Sequence, residues 1–198
     1  MTRATNVTRV EHRVSLEERA RRNQHKGGIF WLTGLSGAGK STIALDVERR
    51  LFDAQYQVYL LDGDNIRSGL NANLSFSPED RSENIRRVGE VAALFARAGF
   101  VVISAFISPY RSDRLGARAA ADKIAFHEIY IKCDLVTCER RDPKGLYRKA
   151  RAGEITDFTG IGAPYEVPNE PNLTIDTMVS SAEISANILE TYVSSSLG

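Results

Sequence analysis

Residues 34–41 read GLSGAGKS, which matches the phosphate-binding pattern G-x-x-x-x-G-K-[ST] in full. Its glycines let the backbone turn tightly, so that successive amide N–H groups point at one anion. Lys40 places a positive charge against the outer phosphates, and the Ser41 hydroxyl is suited to ligate Mg²⁺. The residues expected to hold a nucleoside triphosphate are Gly34, Leu35, Ser36, Gly37, Ala38, Gly39, Lys40, Ser41 and Thr42. The alternative is a glycine-rich turn that binds nothing.

Two carboxylates form the second candidate group. Asp62 and Asp64 follow an apolar run at residues 58–61, so they are expected at the carboxyl end of a strand. A carboxylate there can orient or deprotonate a hydroxyl nucleophile, or hold Mg²⁺ through water. Asp62 is the first candidate for both tasks and Asp64 the second. The alternative is that one of them only caps the next helix.

The elements that must position these groups alternate between strands and helices. Strands are predicted at residues 29–32, 58–61, 100–107, 127–131 and 173–175, with a helix after each. The continuous apolar run at 58–61 indicates a strand buried on both faces. The alternation predicts an α/β fold, the P-loop NTPase three-layer sandwich, with a parallel central sheet and helices on both faces. Ligands bind such sheets at the carboxyl ends of the strands.

Helix boundaries and faces are also predicted from local signals. Ser77 and Pro78 open a helix that Gly99 ends. Ser180 with Glu183 has the spacing of a capping box for the closing helix. Two apolar faces are predicted, one for the helix after the glycine-rich loop and one for the closing helix. They comprise Ile43, Ala44, Leu45, Val47 and Leu51 in the first, and Ile184, Ile188 and Leu189 in the second.

Composition limits the class of partner and the compartment. The chain has 198 residues, a net charge of +1 and two cysteines, Cys133 and Cys138, without a zinc or C-x-x-C spacing. One compact domain, small-molecule ligands, no nucleic acid, no membrane and a reducing cytoplasm are expected. An N-terminal arm is predicted at residues 1–27, where Ser15 and Glu18 begin a short helix, and the main domain at 28–198. Acidic residues argue against a transit peptide in the arm, namely Glu11, Glu17 and Glu18.

Further motifs occur in a fixed order along the chain. They read LDGDNIR at 61–67, FSPEDRSENIRR at 76–87, FISPYR at 106–111, RDPKGLYRKARAGEI at 141–155 and FTGI at 158–161. With the glycine-rich loop, they resemble the adenylylsulfate kinase family over residues 28–171. The resemblance implies that ATP, with Mg²⁺, phosphorylates adenosine 5′-phosphosulfate to 3′-phosphoadenosine 5′-phosphosulfate. It also implies a homodimer and a possible association with ATP sulfurylase.

The resemblance assigns a set of site residues. By it, the catalytic residues are Lys40, Asp62 and Ser108, and the metal is held at Ser41 and Asp62. The substrate-binding positions it implies are Asp62, Asp64, Arg67, Phe76, Arg81, Asn84, Ile107, Ser108, Lys144 and Phe158. Phe76 and Phe158 would sandwich the adenine of the acceptor, whereas core packing is the alternative for each. For the arginines the alternative is a solvated face.

Two interpretations are open for Ser108, and two for a basic segment later in the chain. In similar proteins this serine is described as a phosphoserine intermediate, but no neighbouring histidine or lysine offers a base and direct transfer needs no covalent step. A turn that starts a helix is the alternative. The segment at about 144–162 is rich in Lys and Arg between Gly145 and Gly153 and is predicted to be a lid, with a solvated helix as the alternative. Gly162 stands where the family usually has an aspartate.

Three other functions remain as competing hypotheses. A different small-molecule P-loop kinase would share the loop, the sheet and the lid. A GTPase-like switch would need a guanine signature N-K-x-D, which the sequence lacks. A catalytically inactive nucleotide-sensing domain is disfavoured because Lys40, Ser41 and Asp62 are all present.

Overall fold

The structure, a computed structural model, describes residues 6–8, 10 and 12–197. Of the predicted arm, residues 1–5, Arg9 and Glu11 lie outside the described residues. The strands are β1 (Gly28–Thr33), β2 (Val58–Asp62), β3 (Val101–Ala105), β4 (Ala125–Lys132) and β5 (Leu173–Asp176). The helices are α1 (Leu16–Asn23), α2 (Lys40–Asp53), α3 (Gly63–Arg67), α4 (Pro78–Arg97), α5 (Arg111–Ala121), α6 (Leu135–Arg141), α7 (Leu146–Arg151) and α8 (Ala182–Ser196).

The strands form one parallel sheet in the order β2-β3-β1-β4-β5. β1 lies in the centre, and all six of its residues are buried. α2 and α8 pack on one face, where Phe30 and Leu32 point, while α4 and α5 cover the other face, where Ile29 and Trp31 point. The predicted three-layer α/β architecture is therefore confirmed, and the carboxyl ends of β1, β2 and β3 meet at one edge of the sheet.

β2 departs from its prediction. The run at residues 58–61 is not buried on both faces, because β2 pairs with β3 alone and Tyr59 is 47% exposed. The Tyr59 ring stacks on Phe95 of α4, with 5.1 Å between the ring centroids. On the open side of the strand, the backbone N–H of Leu60 donates to the carboxylate of Glu48 at 2.9 Å. An edge strand can carry a continuous apolar run when side chains of the flanking helices cover it.

Five helices, α1, α3, α4, α6 and α8, follow a residue whose side chain accepts from a backbone N–H of the first turn. Ser15 accepts from the backbone N–H of Glu18 and completes the predicted capping box of α1. Ser77 caps α4 with Pro78 at its first position, as predicted. The predicted box at Ser180 is wrong by one residue, because Ser181 accepts from the N–H of Ile184 and α8 begins at Ala182.

Two predictions of helix faces are also wrong in part. Leu45 of α2 is 58% exposed, although its predicted partners Ile43, Ala44, Val47 and Leu51 are buried. In α8, Ile184 and Ile188 are exposed, and the buried side chains are Ser185, Ala186, Leu189 and Val193. In both helices the apolar stripe is wider than the surface that the neighbouring layer covers. Within the described ranges, no helix is long and apolar enough to cross a membrane.

Candidate active site

The glycine-rich loop connects β1 to α2 and is packed against the rest of the domain. A Cβ atom at Gly34 would lie 2.5 Å from the carbonyl oxygen of Ile131, so the loop passes β4 at a distance that only glycine permits. Gly37 has φ +75°, and a Cβ atom there would lie 3.0 Å from the carbonyl oxygen of Cys138. These contacts fix the loop from behind, which leaves its amide groups to line the cavity in front.

Lys40, the first residue of α2, turns its ammonium group back onto the loop. Its Nζ donates to the carbonyl oxygens of Gly34 at 2.9 Å and Leu35 at 2.7 Å. Burial of the side chain lowers the pKa of Lys40 to about 8. The charge is therefore held by two carbonyl dipoles at the place where phosphate oxygens would be expected.

Asp62 occupies the end of β2 and uses both of its carboxylate oxygens. Oδ2 accepts from the Ser41 hydroxyl at 2.7 Å, and Oδ1 accepts from the backbone N–H of Asp64 at 3.0 Å. Asp62 is thus the N-cap of α3, as the alternative reading held, and it also faces the glycine-rich loop. A hydroxyl and a carboxylate side by side form a hard-oxygen donor pair, which suits Mg²⁺ bound jointly by protein, phosphates and water.

Asp64 and Lys144 face each other across the cavity entrance. The Lys144 ammonium group forms an ion pair with the Asp64 carboxylate, and both side chains are more than half exposed. The pair therefore links the start of the predicted lid to α3 in the absence of ligand.

Arg67 and Phe76 line the same cavity as the glycine-rich loop. The guanidinium carbon of Arg67 is 4.3 Å from the centroid of the Phe76 ring, and Nη1 donates to the carbonyl of Ser75 at 3.0 Å. The Phe76 ring is 60% exposed, so it is not a core residue. An exposed aromatic face backed by a cation is a surface on which a flat, electron-rich ring can stack.

Arg81 joins α4 to the segment around Phe158. Its nitrogens donate to the carbonyl oxygens of Phe76 at 2.8 Å and Asp157 at 2.5 Å, and to the Thr159 hydroxyl at 2.5 Å. Desolvation lowers the pKa of Arg81 and also that of Arg67, and in both cases the side chain stays a cation at neutral pH. Two incompletely solvated guanidinium groups at one side of a cavity favour an anionic ligand there.

Asn84 and Phe158 complete this side of the cavity. Asn84 is buried and accepts a hydrogen bond from the amide of Asn71 at 2.9 Å. Phe158 is 7% exposed and packs edge-on against Tyr147, with ring centroids 5.0 Å apart. Core packing therefore holds Phe158 in place, while one part of its ring still lines the cavity.

Ser108 lies at the end of the third strand and is 2% exposed. Its Oγ accepts from the indole N–H of Trp31 at 3.1 Å, and its backbone has φ +40°, which non-glycine residues rarely adopt. The described residues place no histidine or lysine in hydrogen-bonding contact with the hydroxyl. Ile107, the residue before it, lines the cavity with its side chain.

The predicted lid contains α7 between two glycines with positive φ, Gly145 at +67° and Gly153 at +76°. Tyr147 and Ala150 are the buried residues of α7, and the Tyr147 hydroxyl donates to the carbonyl of Ser36 at 3.0 Å. The segment is therefore anchored to the glycine-rich loop by one aromatic side chain. Arg148 and Lys149 are exposed.

One cavity of about 1010 Å³ brings these groups together. It is lined by the loop from Ser36 to Thr42 and by every predicted substrate-binding residue, whereas Gly34 and Leu35 do not line it. The sequence reasoning missed a further group of lining residues, two of which contact the glycine-rich loop. The group comprises Arg141, Thr177, Ser180, Ser181 and Ala182. Arg141 donates to the carbonyl of Thr177 at 2.7 Å. In the sequence, only the place of Arg141 in the motif RDPK pointed to this group. The contact with Thr177 could not be foreseen, because it joins segments far apart in sequence.

Comparisons with protein families, with known sequences and with solved structures all point to the same family. Residues 26–176 match the family described as adenylylsulphate kinase. The chain is 57% identical to an adenylyl-sulfate kinase of Bacillus licheniformis over 186 residues, 93% of this chain and 94% of that one. It is 51% identical to an adenylyl-sulfate kinase of Staphylococcus epidermidis, covering 98% and 97%. The solved APS kinase CysC of Mycobacterium tuberculosis, in complex with AMPPNP and APS, has a TM-score of 0.80 and 47% identity, covering 84% and 98%.

Proposed function

Because this chain belongs to the adenylylsulphate kinase family, we propose that it transfers the γ-phosphoryl group of ATP to the 3′-hydroxyl of adenosine 5′-phosphosulfate. The products are ADP and 3′-phosphoadenosine 5′-phosphosulfate. The observation that carries the proposal is a single cavity lined by the glycine-rich loop, by Asp62 and by two partly buried arginines, Arg67 and Arg81.

ATP occupies the side of the cavity that the glycine-rich loop forms. Its phosphates lie on the amide groups of the loop and at the N-terminus of α2, whose dipole favours negative charge. Lys40 moves from the carbonyls of Gly34 and Leu35 to the outer phosphates. The adenine of ATP then extends toward Arg141 and Thr177, which line the cavity and contact the glycine-rich loop.

Mg²⁺ fits the donor pair formed by Ser41 and Asp62. Among the described residues, three or more His, Cys, Asp or Glu side chains do not gather into a metal site. An ion at Ser41 and Asp62 would take its other ligands from phosphates and water. When bound, Mg²⁺ neutralises charge that develops on the phosphates during transfer. Ser41 and Asp62 are the residues that would hold it.

The acceptor occupies the opposite side. The Arg67 and Arg81 guanidinium groups bind its phosphosulfate, while Phe76 and Phe158 lie on the faces of its adenine. Asn84, Ile107 and Lys144 complete the contacts. This division places the ribose 3′-hydroxyl near Asp62, between the two sides.

Asp62 orients the 3′-hydroxyl and accepts its proton. The oxygen forms a bond to the γ-phosphorus as the bond from that phosphorus to the β,γ-bridging oxygen breaks, and the electron pair leaves with ADP. Asp64 is the second candidate for the base. A phosphoserine at Ser108 stays a prediction, and its hydroxyl would first have to leave the buried contact with Trp31.

The state of assembly and the compartment are proposals as well. A homodimer, an association with ATP sulfurylase and a cytoplasmic location stay predictions of the family resemblance and of the composition.

ADP formation from Mg-ATP tests the proposed reaction directly. The purified chain is assayed with adenosine 5′-phosphosulfate, AMP, shikimate and gluconate as separate acceptors. Turnover confined to adenosine 5′-phosphosulfate is expected. Turnover with shikimate or gluconate alone would assign the chain to another small-molecule kinase, and ATP binding without turnover on any acceptor would support the nucleotide-sensing hypothesis.

A further inference from the structure

Arg114 of α5 lies behind the wall of the cavity and is 2% exposed. Its nitrogens donate to three acceptors on three separate segments. Nε reaches the Glu128 carboxylate of β4 at 2.6 Å, Nη1 the Ser108 carbonyl at 2.7 Å, and Nη2 the Glu166 carbonyl at 2.8 Å. A planar fork of this kind fixes several acceptors in one geometry, which a lysine cannot do.

The Ser108 carbonyl belongs to the part of the backbone that needs such support. Ser108 has φ +40° and precedes Pro109, so its backbone is restricted on both sides. Pro109 in turn accepts from the N–H of Glu166 at 2.9 Å, and the Glu166 carboxylate accepts from the N–H of Arg111 at 2.7 Å. The segment at 164–167 is therefore tied to the strand end that carries Ile107 and Ser108.

A second contact supports the same wall from behind. The hydroxyl of Thr33, the last residue of β1, donates to the carbonyl of Ile107 at 2.7 Å. The Tyr165 hydroxyl lies 3.0 Å from the same Thr33 oxygen, and the Tyr165 ring lies 6.0 Å from the Arg114 guanidinium carbon. The carbonyls of two consecutive residues are thus both held, one by Thr33 and the other by Arg114.

A stabilising ion pair with Glu128 is the simpler interpretation of Arg114. That interpretation requires only the contact of Nε. It does not account for the contacts with the carbonyls of Ser108 and Glu166, which join the wall of the cavity to the 164–167 segment. Buried ion pairs are also weak contributors to stability when compared with apolar residues of similar size.

We propose that Arg114 is a positioning residue for the phosphoryl acceptor, because it holds the Ile107–Ser108 wall in the conformation that receives adenosine 5′-phosphosulfate. The proposal rests on the proposed function. It assigns Arg114 no contact with either substrate. Loss of the fork lets Ser108 relax from its unusual backbone conformation, which moves Ile107 and changes acceptor binding, while the glycine-rich loop and its ATP site stay as they are.

The test compares Arg114→Lys with a control on the same helix. Lysine keeps a positive charge beside Glu128 but reaches fewer acceptors. Arg118→Lys is the control, since Arg118 donates to the Phe126 carbonyl and does not line the cavity. For each protein, kcat and the KM of each substrate are measured, together with the midpoint of thermal unfolding. Arg114→Lys is expected to raise the KM of adenosine 5′-phosphosulfate tenfold or more and that of ATP less than twofold, and Arg118→Lys to change neither.

A second variant covers the case in which Arg114→Lys does not fold. Arg114→Gln combined with Glu128→Gln removes both charges, so no buried carboxylate is left without a partner. The same acceptor-specific rise in KM is expected from it. An unchanged acceptor KM in either folded variant, or equal rises for both substrates, would overturn the proposal. The absence of turnover by the unmodified enzyme with adenosine 5′-phosphosulfate would refute the proposed function instead.

Discussion

The two sides of the cavity are built in different ways. The ATP side comes mainly from one continuous stretch, residues 34–42, whose shape depends on backbone atoms packed against β4 and α6. The acceptor side comes from α3, α4, the end of β3 and the segment at 144–159, and it depends on side chains. Arg81 joins α4 to the segment at 157–159, and Arg114 joins the Ser108 end of the cavity wall to β4 and to Glu166. A site for a common ligand can thus be a local motif, whereas selection of a particular acceptor is spread over the fold.

This difference makes the two sides separable by mutation. A change on the ATP side should alter the use of ATP, and a change on the acceptor side should alter the use of adenosine 5′-phosphosulfate. Only residues between them should affect the chemical step with both substrates bound.

Asp62→Asn is expected to have the largest effect, because Asp62 lies between the two sides. Asparagine also caps helices well, so α3 should persist, but it cannot accept the proton. Loss of a general base predicts a decrease in kcat of about 10²–10⁴-fold, with a small change in the KM of adenosine 5′-phosphosulfate. The matched control is Asp64→Asn, for which a much smaller decrease is expected. Steady-state kinetics that give equal decreases for both variants would contradict the assignment of Asp62 as the base.

Arg81→Met should affect the acceptor side alone. Hydrogen bonds to charged groups contribute roughly 1.5–3 kcal/mol each, so loss of this guanidinium predicts a rise of about 10–100-fold in the KM of adenosine 5′-phosphosulfate. The KM of ATP should change less than twofold. Arg86→Met is the control, since Arg86 lies on the same helix and pairs with Glu83 on the surface. A rise in the KM of ATP equal to that of the acceptor would show that the two sides are not independent.

Lys40 gives the ATP side a dependence on pH that the acceptor side should lack. Burial lowers its pKa from the usual 10.5 to about 8 in the folded protein. Above pH 8 the loss of this proton should weaken ATP binding, by up to about tenfold per pH unit, while binding of adenosine 5′-phosphosulfate changes little over the same range. Titration calorimetry with each substrate at pH 7.5 and 9.5 measures both.

The same shift fixes the direction of a stability change. Between pH 8 and 10.5 the unfolded chain retains a proton that folded Lys40 has released, so the free energy of unfolding should rise with pH by up to about 1.4 kcal/mol per unit. Urea unfolding without ligand measures this slope. Lys40→Met should lack the contribution, and an identical slope in both proteins would argue against a lowered pKa.

Lys144→Met is expected to have the smallest effect on stability. The ion pair with Asp64 is exposed, and such pairs contribute at most about 1 kcal/mol. The free energy of unfolding should therefore stay within ~1 kcal/mol of the unmodified value, and Lys149→Met in the same segment provides the control. A several-fold rise in the KM of adenosine 5′-phosphosulfate with unchanged stability would support a ligand contact by Lys144. An unchanged KM of adenosine 5′-phosphosulfate in Lys144→Met would instead support the alternative, a solvated helix that does not contact the ligand.

The two sides also differ in how far the sequence alone predicts them. The loop at 34–41 and the position of Asp62 follow from local patterns, because a parallel strand ends where its apolar run ends. The acceptor-binding residues were identified by resemblance and not by local chemistry. Arg114 and Asn71 carried no usable signal and Arg141 only its place in the motif RDPK, since their contacts arise only when segments distant in sequence meet. The burial predicted for β2 failed for the same reason, because the order of strands in the sheet is not encoded in any one strand.

The hydrogen bond from Leu60 to Glu48 has a consequence for solubility. An uncovered edge strand offers its backbone groups to strands of other molecules, which is a route to fibrous aggregates. At the outer side of β2, a carboxylate already occupies the Leu60 N–H and presents negative charge to any approaching strand. Glu48 is therefore expected to disfavour strand-to-strand aggregation at β2, the edge strand that ends in Asp62.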